Sequence, residues 1–188
     1  MILALDISTS CIGYTLMDEN GKLIELNCVK FRDKLTIFEK LEEFKKVTEY
    51  LKKFPIKYIS IEEPLKKFMG KFSSATTIAL LNFFNGMISS YLYLEFGIEP
   101  FYFNVNNARS LAFGKKTASS EPEADDEKGG NSKKHEVWKK VMQLEPLISW
   151  RYGPKSRKLL DENYDMADSY VIALAMLITI DKQTSIVI

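Results

Sequence analysis

The second to seventh residues read Ile2-Leu3-Ala4-Leu5-Asp6-Ile7, an apolar run interrupted near its end by one carboxylate. A run of this length, rich in Leu and Ile, predicts a strand buried on both faces at the centre of a sheet. An ionised carboxylate is costly in such a place unless a cation or hydrogen-bond donors meet it. Two interpretations of Asp6 follow: it is a ligand of a divalent metal ion, or it caps the turn at Ser8-Thr9-Ser10 through local hydrogen bonds.

The length and composition are those of one folded domain, which we expect to span residues 1–188, with 46% hydrophobic residues. A formal net charge of +1 excludes no class of partner, because a near-neutral total can hide a basic face. Two cysteines and one histidine give neither a disulfide framework nor a zinc pattern, which favours an intracellular, cytoplasmic location. We see no signal peptide and no apolar run that could span a bilayer, so we expect no membrane partner.

The periodicity of apolar residues predicts three antiparallel strands followed by alternating helices and strands. This order predicts an α/β fold, in which helices cover both faces of a mixed five-stranded sheet. The helix at 74–94 is apolar nearly all round, which predicts that it is sandwiched between other elements. The predicted strands are 2–7, 13–17, 22–30, 57–61 and 100–105, and the predicted helices are 35–54, 74–94, 106–113, 133–144 and 163–180.

Two segments depart from these periodic patterns. Residues 114–132 contain almost nothing apolar and carry Ser, Glu, Asp and Gly, which predicts a mobile acidic loop within the domain. Residues 146–158 have no clear period, but Trp150-Arg151-Tyr152 and the cations Lys155, Arg157 and Lys158 make them basic and aromatic.

Three further acids are placed where they could converge with Asp6. Glu62 follows the strand 57–61 as Asp6 ends the first strand, and Asp165 and Asp168 lie three apart, on one side of a helix. Like charges held this close repel unless a cation lies between them, although acids are also favoured in a helix's first turns by its dipole. The four together predict a set of hard oxygen ligands for one or two Mg²⁺ or Mn²⁺ ions. Two such ions catalyse in-line displacement at phosphorus.

The order of elements resembles the ribonuclease H-like fold, and the motifs resemble those of the RuvC family of Holliday junction resolvases. The motifs are residues 2–6 with Gly13-Tyr14, residues 58–62, and Asp165-Met166-Ala167-Asp168 before an alanine-rich helix. The resemblance implies a homodimeric crossover junction endodeoxyribonuclease that binds four-way DNA junctions and nicks two opposed strands. It also implies two Mg²⁺ ions per active site, with Mn²⁺ as a substitute, on Asp6, Glu62, Asp165 and Asp168.

The resemblance extends to DNA-contacting positions. Arg109 and Lys134 match family lysines that touch DNA, Lys134 near the scissile phosphate as part of the catalytic set, and Lys133 lies beside it. Leu65 or Phe68 stands where the family has an aromatic wedge. The chain departs from the family in having Asp6-Ile7-Ser8 for Asp-Pro-Gly and a longer acidic tract, which points to a divergent phage or viral branch in host cytoplasm.

Three alternatives remain open. Residues 6–13 followed by Asp18-Glu19-Asn20-Gly21-Lys22 resemble the first phosphate loop of sugar kinases and actin-like ATPases. A ribonuclease H acting on RNA–DNA hybrids would use the same acids. A non-catalytic binding module would use the basic segments alone, but it would gain nothing from acids that face phosphate.

Overall fold

The computed structural model describes residues 1–64, 75–114, 129–155 and 157–186, with side chains for all of these except 129–132 and 184–186. Across these residues, the predicted order of elements is confirmed. The elements are β1 (Ile2–Ile7), β2 (Cys11–Met17), β3 (Leu23–Lys30), α1 (Ile37–Leu51), β4 (Tyr58–Glu62), α2 (Ala75–Phe96), β5 (Phe101–Phe103), α3 (Val105–Phe113), α4 (Gly129–Leu144) and α5 (Glu162–Ile186).

The five strands form one mixed sheet in the order β3-β2-β1-β4-β5. The first three strands pair antiparallel, whereas β4 runs parallel to β1, and β5 runs parallel to β4. All six residues of β1 are buried. The apolar run at the start of the chain is therefore the central strand, as its composition predicted.

Helices cover both faces of this sheet, as predicted. Along β1, Ile2 and Ala4 pack in one hydrophobic cluster with residues of α3, α4 and α5. The alternate residues Leu3, Leu5 and Ile7 pack in a second cluster with α1 and α2. We call these faces the α5 side and the α1 side. Because successive side chains of a strand point to opposite faces, Asp6 belongs to the α5 side.

The prediction that helix 74–94 is sandwiched between other elements is wrong. In α2, Phe84, Ile88 and Leu92 are buried on the α1 side of the sheet. Phe83 and Leu94 point away from it and are 56% and 79% exposed. Composition could not reveal this, because an all-round apolar helix has no polar face that marks which side meets solvent.

Several predicted boundaries move. Glu62 lies inside β4 rather than after it, and α4 begins at Gly129, within the predicted loop 114–132. The loop's C-terminal limit was therefore wrong, because Gly, Asn and Ser carry no periodic signal that would mark the start of a helix. Its residues 115–128 lie outside the described residues, as do Leu65 and Phe68. Among the described helices, none has the length and apolar character needed to cross a membrane.

A glycine lets α5 lie directly on the sheet. Gly13 of β2 pairs with Asp6 of β1. A Cβ atom at Gly13 would lie 2.2 Å from the backbone oxygen of Asp165 and 2.7 Å from the backbone nitrogen of Met166. Nearby, the buried hydroxyls of Thr15 and Ser169 form a hydrogen bond of 2.8 Å that joins the same strand and helix. The start of α5 is therefore held against β2 at the point where Asp6 leaves the sheet.

We expect Gly13→Ala to lower the free energy of unfolding by about 2 kcal/mol or more, because its Cβ must displace helix backbone rather than a flexible side chain. Urea denaturation measures the change. Gly86→Ala in α2 is the matched control, since its Cβ meets nothing within 4 Å. Alanine is favoured over glycine inside a helix, so this control should be neutral or stabilising by up to about 1 kcal/mol. Equal stabilities for the two variants would contradict the close packing of α5.

Candidate metal centre

Asp6 and Glu62 lie side by side at one edge of the sheet. The parallel strands β1 and β4 pair Leu5 with Ile61, so the next residue on each strand is an acid that points to the α5 side. Asp6 is buried, and Glu62 is partly buried. Strand pairing alone therefore brings together two acids that are 56 positions apart in the chain.

Helix α5 adds two more carboxylates from its first turns. Asp168 completes a group of three with Asp6 and Glu62, in which one carboxylate oxygen from each residue lies within 4.8 Å of the others. Asp165, one turn earlier, has its Oδ2 3.4 Å from the Ser8 hydroxyl oxygen. Both aspartates are buried. The spacing of three residues thus directs the pair toward the sheet, as the sequence predicted.

The turn after β1 is closed without Asp6. The Ser8 hydroxyl donates to the Cys11 carbonyl at 2.8 Å and accepts from the Cys11 backbone N–H at 3.0 Å. The Ser8 backbone N–H also donates to the Cys11 carbonyl. Of the two interpretations of Asp6, the local cap is therefore the weaker, because Ser8 already serves the turn.

Burial and crowding raise the pKa values of these acids. Burial, followed by the charges of Glu62, Asp165 and Asp168, raises the pKa of Asp6 well above its ordinary value. Burial and then Asp168 raise the pKa of Glu62 to about 7. Burial raises the pKa of Asp165 to about 6, against the opposing effect of Lys134. These raised pKa values mean that ionising the carboxylates costs free energy unless further positive charge lies nearby.

Lys134 supplies part of that charge from α4. Its Nζ lies 3.8 Å from Asp165 Oδ1, and its side chain is 45% exposed. Burial lowers the pKa of Lys134, but Asp6, Asp165, Asp168 and Glu62 outweigh burial and raise the pKa above its ordinary value. Lys134 therefore stays protonated, with part of its side chain open to solvent.

Arg109 supplies a second positive charge to the cluster. It is buried on α3 and donates from Nη2 to Asp168 Oδ1 at 2.8 Å. The sequence predicted that Arg109 contacts DNA, and that contact stays a prediction. The structure shows a further partner, Asp168, which lies 59 residues away and which no local pattern could have revealed. The ion pair holds one Asp168 oxygen and so restricts the direction of the other.

The donor set fits a hard divalent cation. Carboxylate oxygens are the ligands that Mg²⁺ prefers, and ligands on opposite sides of the ion lie about 4.2 Å apart at ~2.1 Å bond lengths. The group of Asp6, Glu62 and Asp168 is within reach of that spacing after small side-chain movements. Asp165 would serve a second ion or complete the shell of the first.

Comparison with known proteins gives a match in structure but not in sequence. No protein-family model matches this chain, and no curated protein matches it significantly. Three solved structures match almost all of it. They are Thermus thermophilus RuvC (15% identity, 97% of this chain and 96% of that one, TM-score 0.60), T. thermophilus RuvC in complex with Holliday junction substrate (14%, 97% and 96%, 0.65) and the yeast mitochondrial Holliday junction resolvase Ydc2 (15%, 98% and 80%, 0.57).

This chain has the RuvC fold. The ribonuclease H-like architecture and the resemblance inferred from the motifs are both confirmed. Identities of 14–15% establish shared architecture alone, so the chemistry of the site has to come from this chain's own residues. In this RuvC fold, Asp6 and Glu62 lie on adjacent strands, and Asp165 and Asp168 lie on the helix that crosses them.

The pKa values of Glu62 and Asp165 predict how stability depends on pH. Both folded-state values, about 7 and about 6, lie above the ordinary 4.5 and 3.8, so protonation favours the folded state. Without metal, the free energy of unfolding should fall as the pH rises from about 4.5 to about 7.5. We expect a melting temperature in EDTA that is about 5 °C lower at pH 8 than at pH 6.

Excess Mg²⁺ should recover most of this loss at pH 8, because it supplies the missing charge. Glu62→Gln is the control variant, since it removes one of the acids whose pKa is raised and should reduce the pH dependence. If melting temperature depends equally on pH in the two proteins and Mg²⁺ has no effect, the cluster neither titrates nor binds metal as described.

Proposed function

We propose that this chain is a Mg²⁺-dependent, structure-selective endonuclease that resolves four-way DNA junctions by paired nicks. The observation that carries the proposal is the convergence of Asp6, Glu62 and Asp168 from two strands and a helix at one edge of a RuvC fold. The names of the matching structures supply the substrate class: one is RuvC with a Holliday junction, and another is a Holliday junction resolvase.

Each residue of the site has a task in this chemistry. Asp6, Glu62, Asp165 and Asp168 would hold one or two Mg²⁺ ions, with Mn²⁺ as a substitute. Bound there, the metal would activate water and neutralise charge on the scissile phosphate. Lys134, which is charged and partly exposed beside Asp165, would neutralise phosphate charge directly. Arg109 would act as a positioning residue through its ion pair with Asp168.

The kinase-like alternative has less support from the geometry. A phosphate-binding loop presents its backbone N–H groups to the ligand. After β1, however, the backbone N–H groups of Ser8 and Cys11 are both used within the turn. A ribonuclease H acting on hybrids remains the second candidate, because the same acids would serve it. Both alternatives stay predictions, and the substrate panel below tests the ribonuclease H candidate.

We also propose that two copies of this chain form a homodimer, which opposed nicks in one junction require. The surface that supports this proposal is the outer face of α2 with the adjoining edge strand β5. Its exposed apolar side chains are those of Leu80, Phe83, Tyr93, Leu94 and Tyr102. A groove of about 530 Å³ lies between the two elements. A mainly apolar face of this kind is typical of subunit contacts rather than of a solvated helix.

We expect Asp6→Asn to reduce cleavage of a four-way junction by about 10³-fold or more while junction binding without metal persists or tightens. The substitution removes a repulsive charge, so the variant should fold at least as well as the wild type. This makes it a cleaner test than Asp168→Asn, which would leave Arg109 as a buried charge without its partner. Single-turnover cleavage and a mobility-shift assay measure the two effects.

The substrate panel uses a four-way junction, a flap, a linear duplex and an RNA–DNA hybrid, each with Mg²⁺ and with EDTA. Lys134→Ala belongs in the same assay, and its cleavage rate should fall more than its affinity for the junction. Asp6→Asn that still cuts at the wild-type rate would contradict the metal-dependent mechanism, and a wild-type chain that cuts none of the four substrates would end the nuclease proposal. Faster cleavage of the hybrid than of the junction would favour the ribonuclease H candidate instead.

We expect Phe83→Glu combined with Leu94→Glu to convert a dimer into a monomer, because the charges would have to be buried in the apolar contact. Sedimentation equilibrium measures the mass. Phe38→Glu is the matched control, since this residue on α1 is also an exposed aromatic, at 62%, but lies outside α2 and β5. A wild-type chain that sediments as a monomer at micromolar concentration would contradict the homodimer, and an unaffected dimer would place the contact elsewhere.

A further inference from the structure

The segment before α5 forms a small hairpin that sequence periodicity did not reveal. Tyr152 pairs with Leu159 in an antiparallel bridge, and the Leu160 N–H donates to the Arg151 carbonyl at 3.1 Å. Closer to the tip, the Gly153 N–H donates to the Lys158 carbonyl at 2.8 Å. We call residues 151–155 and 157–160 the basic hairpin.

The root of the basic hairpin is fixed to the helix that carries the site. Asn163, fully buried in the first turn of α5, donates from its amide to the carbonyls of Arg151 and Leu160 at 2.7 and 2.8 Å. Its amide oxygen accepts from the Arg151 N–H at 2.9 Å. The Arg151 guanidinium also donates to Asn27 of β3 at 2.7 Å. Asn163 precedes Asp165 by two residues, so the hairpin holds a set position beside the carboxylates.

The tip of the basic hairpin presents positive charge to solvent. Lys155, Arg157 and Lys158 are all exposed. Arg157 has a φ of 50°, in the left-handed region that costs an L-residue on the order of 1 kcal/mol. A glycine there would avoid that cost, so the arginine serves the local fold poorly.

This charge meets a need that the site itself creates. Four carboxylates at the reaction centre repel a polyanionic substrate, so binding energy has to come from cations around the centre rather than within it. Lys134 and Arg109 are both engaged with the carboxylates. The basic hairpin lies at the N-terminus of the helix that carries Asp165 and Asp168, outside the cluster itself.

We propose that the basic hairpin binds the phosphodiester backbone of the DNA arm that leaves the active site on the β3 side, independently of sequence. This inference rests on the proposed function for its substrate. Lys155, Arg157 and Lys158 contact phosphate oxygens. Tyr152, 50% exposed at the base of the hairpin, presents a ring on which an unpaired base at the branch point can stack.

The test compares two doubly neutralised variants, each placed in the Asp6→Asn background so that DNA stays intact. Lys155→Gln with Arg157→Gln removes two cations from the basic hairpin. Lys46→Gln with Lys53→Gln removes two exposed lysines at and just beyond α1, on the other face of the sheet. Dissociation constants for a four-way junction are measured by fluorescence anisotropy over a range of NaCl concentrations.

We expect the hairpin variant to bind about 10-fold more weakly at ~0.1 M salt, with the slope of log K against log[salt] reduced by about two. The α1 variant should match the parent protein in both quantities. In the active background, the hairpin substitutions should raise KM more than they lower kcat. Wild-type affinity and slope in the hairpin variant would overturn the proposal, as would an equal loss in the α1 variant.

The same measurements separate this inference from the proposed function. If the wild-type chain binds the junction through the hairpin but cuts no substrate, the proposed binding site stands and the nuclease proposal is wrong. If the wild-type chain cuts the junction and the hairpin variant binds it normally, the nuclease proposal stands and the proposed role of the hairpin is wrong. If the wild-type chain binds neither DNA nor the RNA–DNA hybrid, both the nuclease proposal and the hairpin proposal are wrong.

Discussion

The close contact of α5 with β2 at Gly13 is the constraint on which the candidate site depends. Because no side chain separates the two backbones, the first turns of α5 lie against the end of the central strand pair. Asp168 then reaches the oxygens of Asp6 and Glu62. A helix held even one side-chain layer further away would leave two acids on the sheet and two on the helix, with no shared ligand position. The geometry of the metal centre is thus a consequence of backbone packing.

This arrangement places folding and function in opposition. Burial and mutual repulsion raise the pKa values of Asp6, Glu62 and Asp165, so the apo protein holds its carboxylates at a cost in free energy. Arg109 of α3 and Lys134 of α4 offset part of the charge, one buried and one partly exposed. The remaining negative charge would give a divalent cation its affinity for the site. A fully neutralised cluster would be more stable alone and would bind metal less well.

Around this centre, the surfaces divide by chemistry. The α1 side ends in the apolar outer face of α2 and β5, which suits another protein surface. The α5 side carries Lys134 and the basic hairpin, which suit a polyanion. The near-neutral net charge hides this division, because cations concentrated near the site are balanced by acids elsewhere and within the cluster.

Residue order by itself determined the elements and the acids that end them. Apolar runs and alternation are local signals, so they identified the central strand, the order of elements and the four acidic positions, and a stretch as short as residues 2–7 sufficed to locate Asp6. Only the tertiary structure decided which groups meet. The ion pair of Arg109 with Asp168, the contact of Gly13 with Asp165, the exposed outer face of α2 and the anchoring of the basic hairpin by Asn163 all join segments whose proximity depends on long-range packing. Periodicity records which face of an element is apolar, but it carries no information about the partner that covers that face, and each of these contacts depends on that partner.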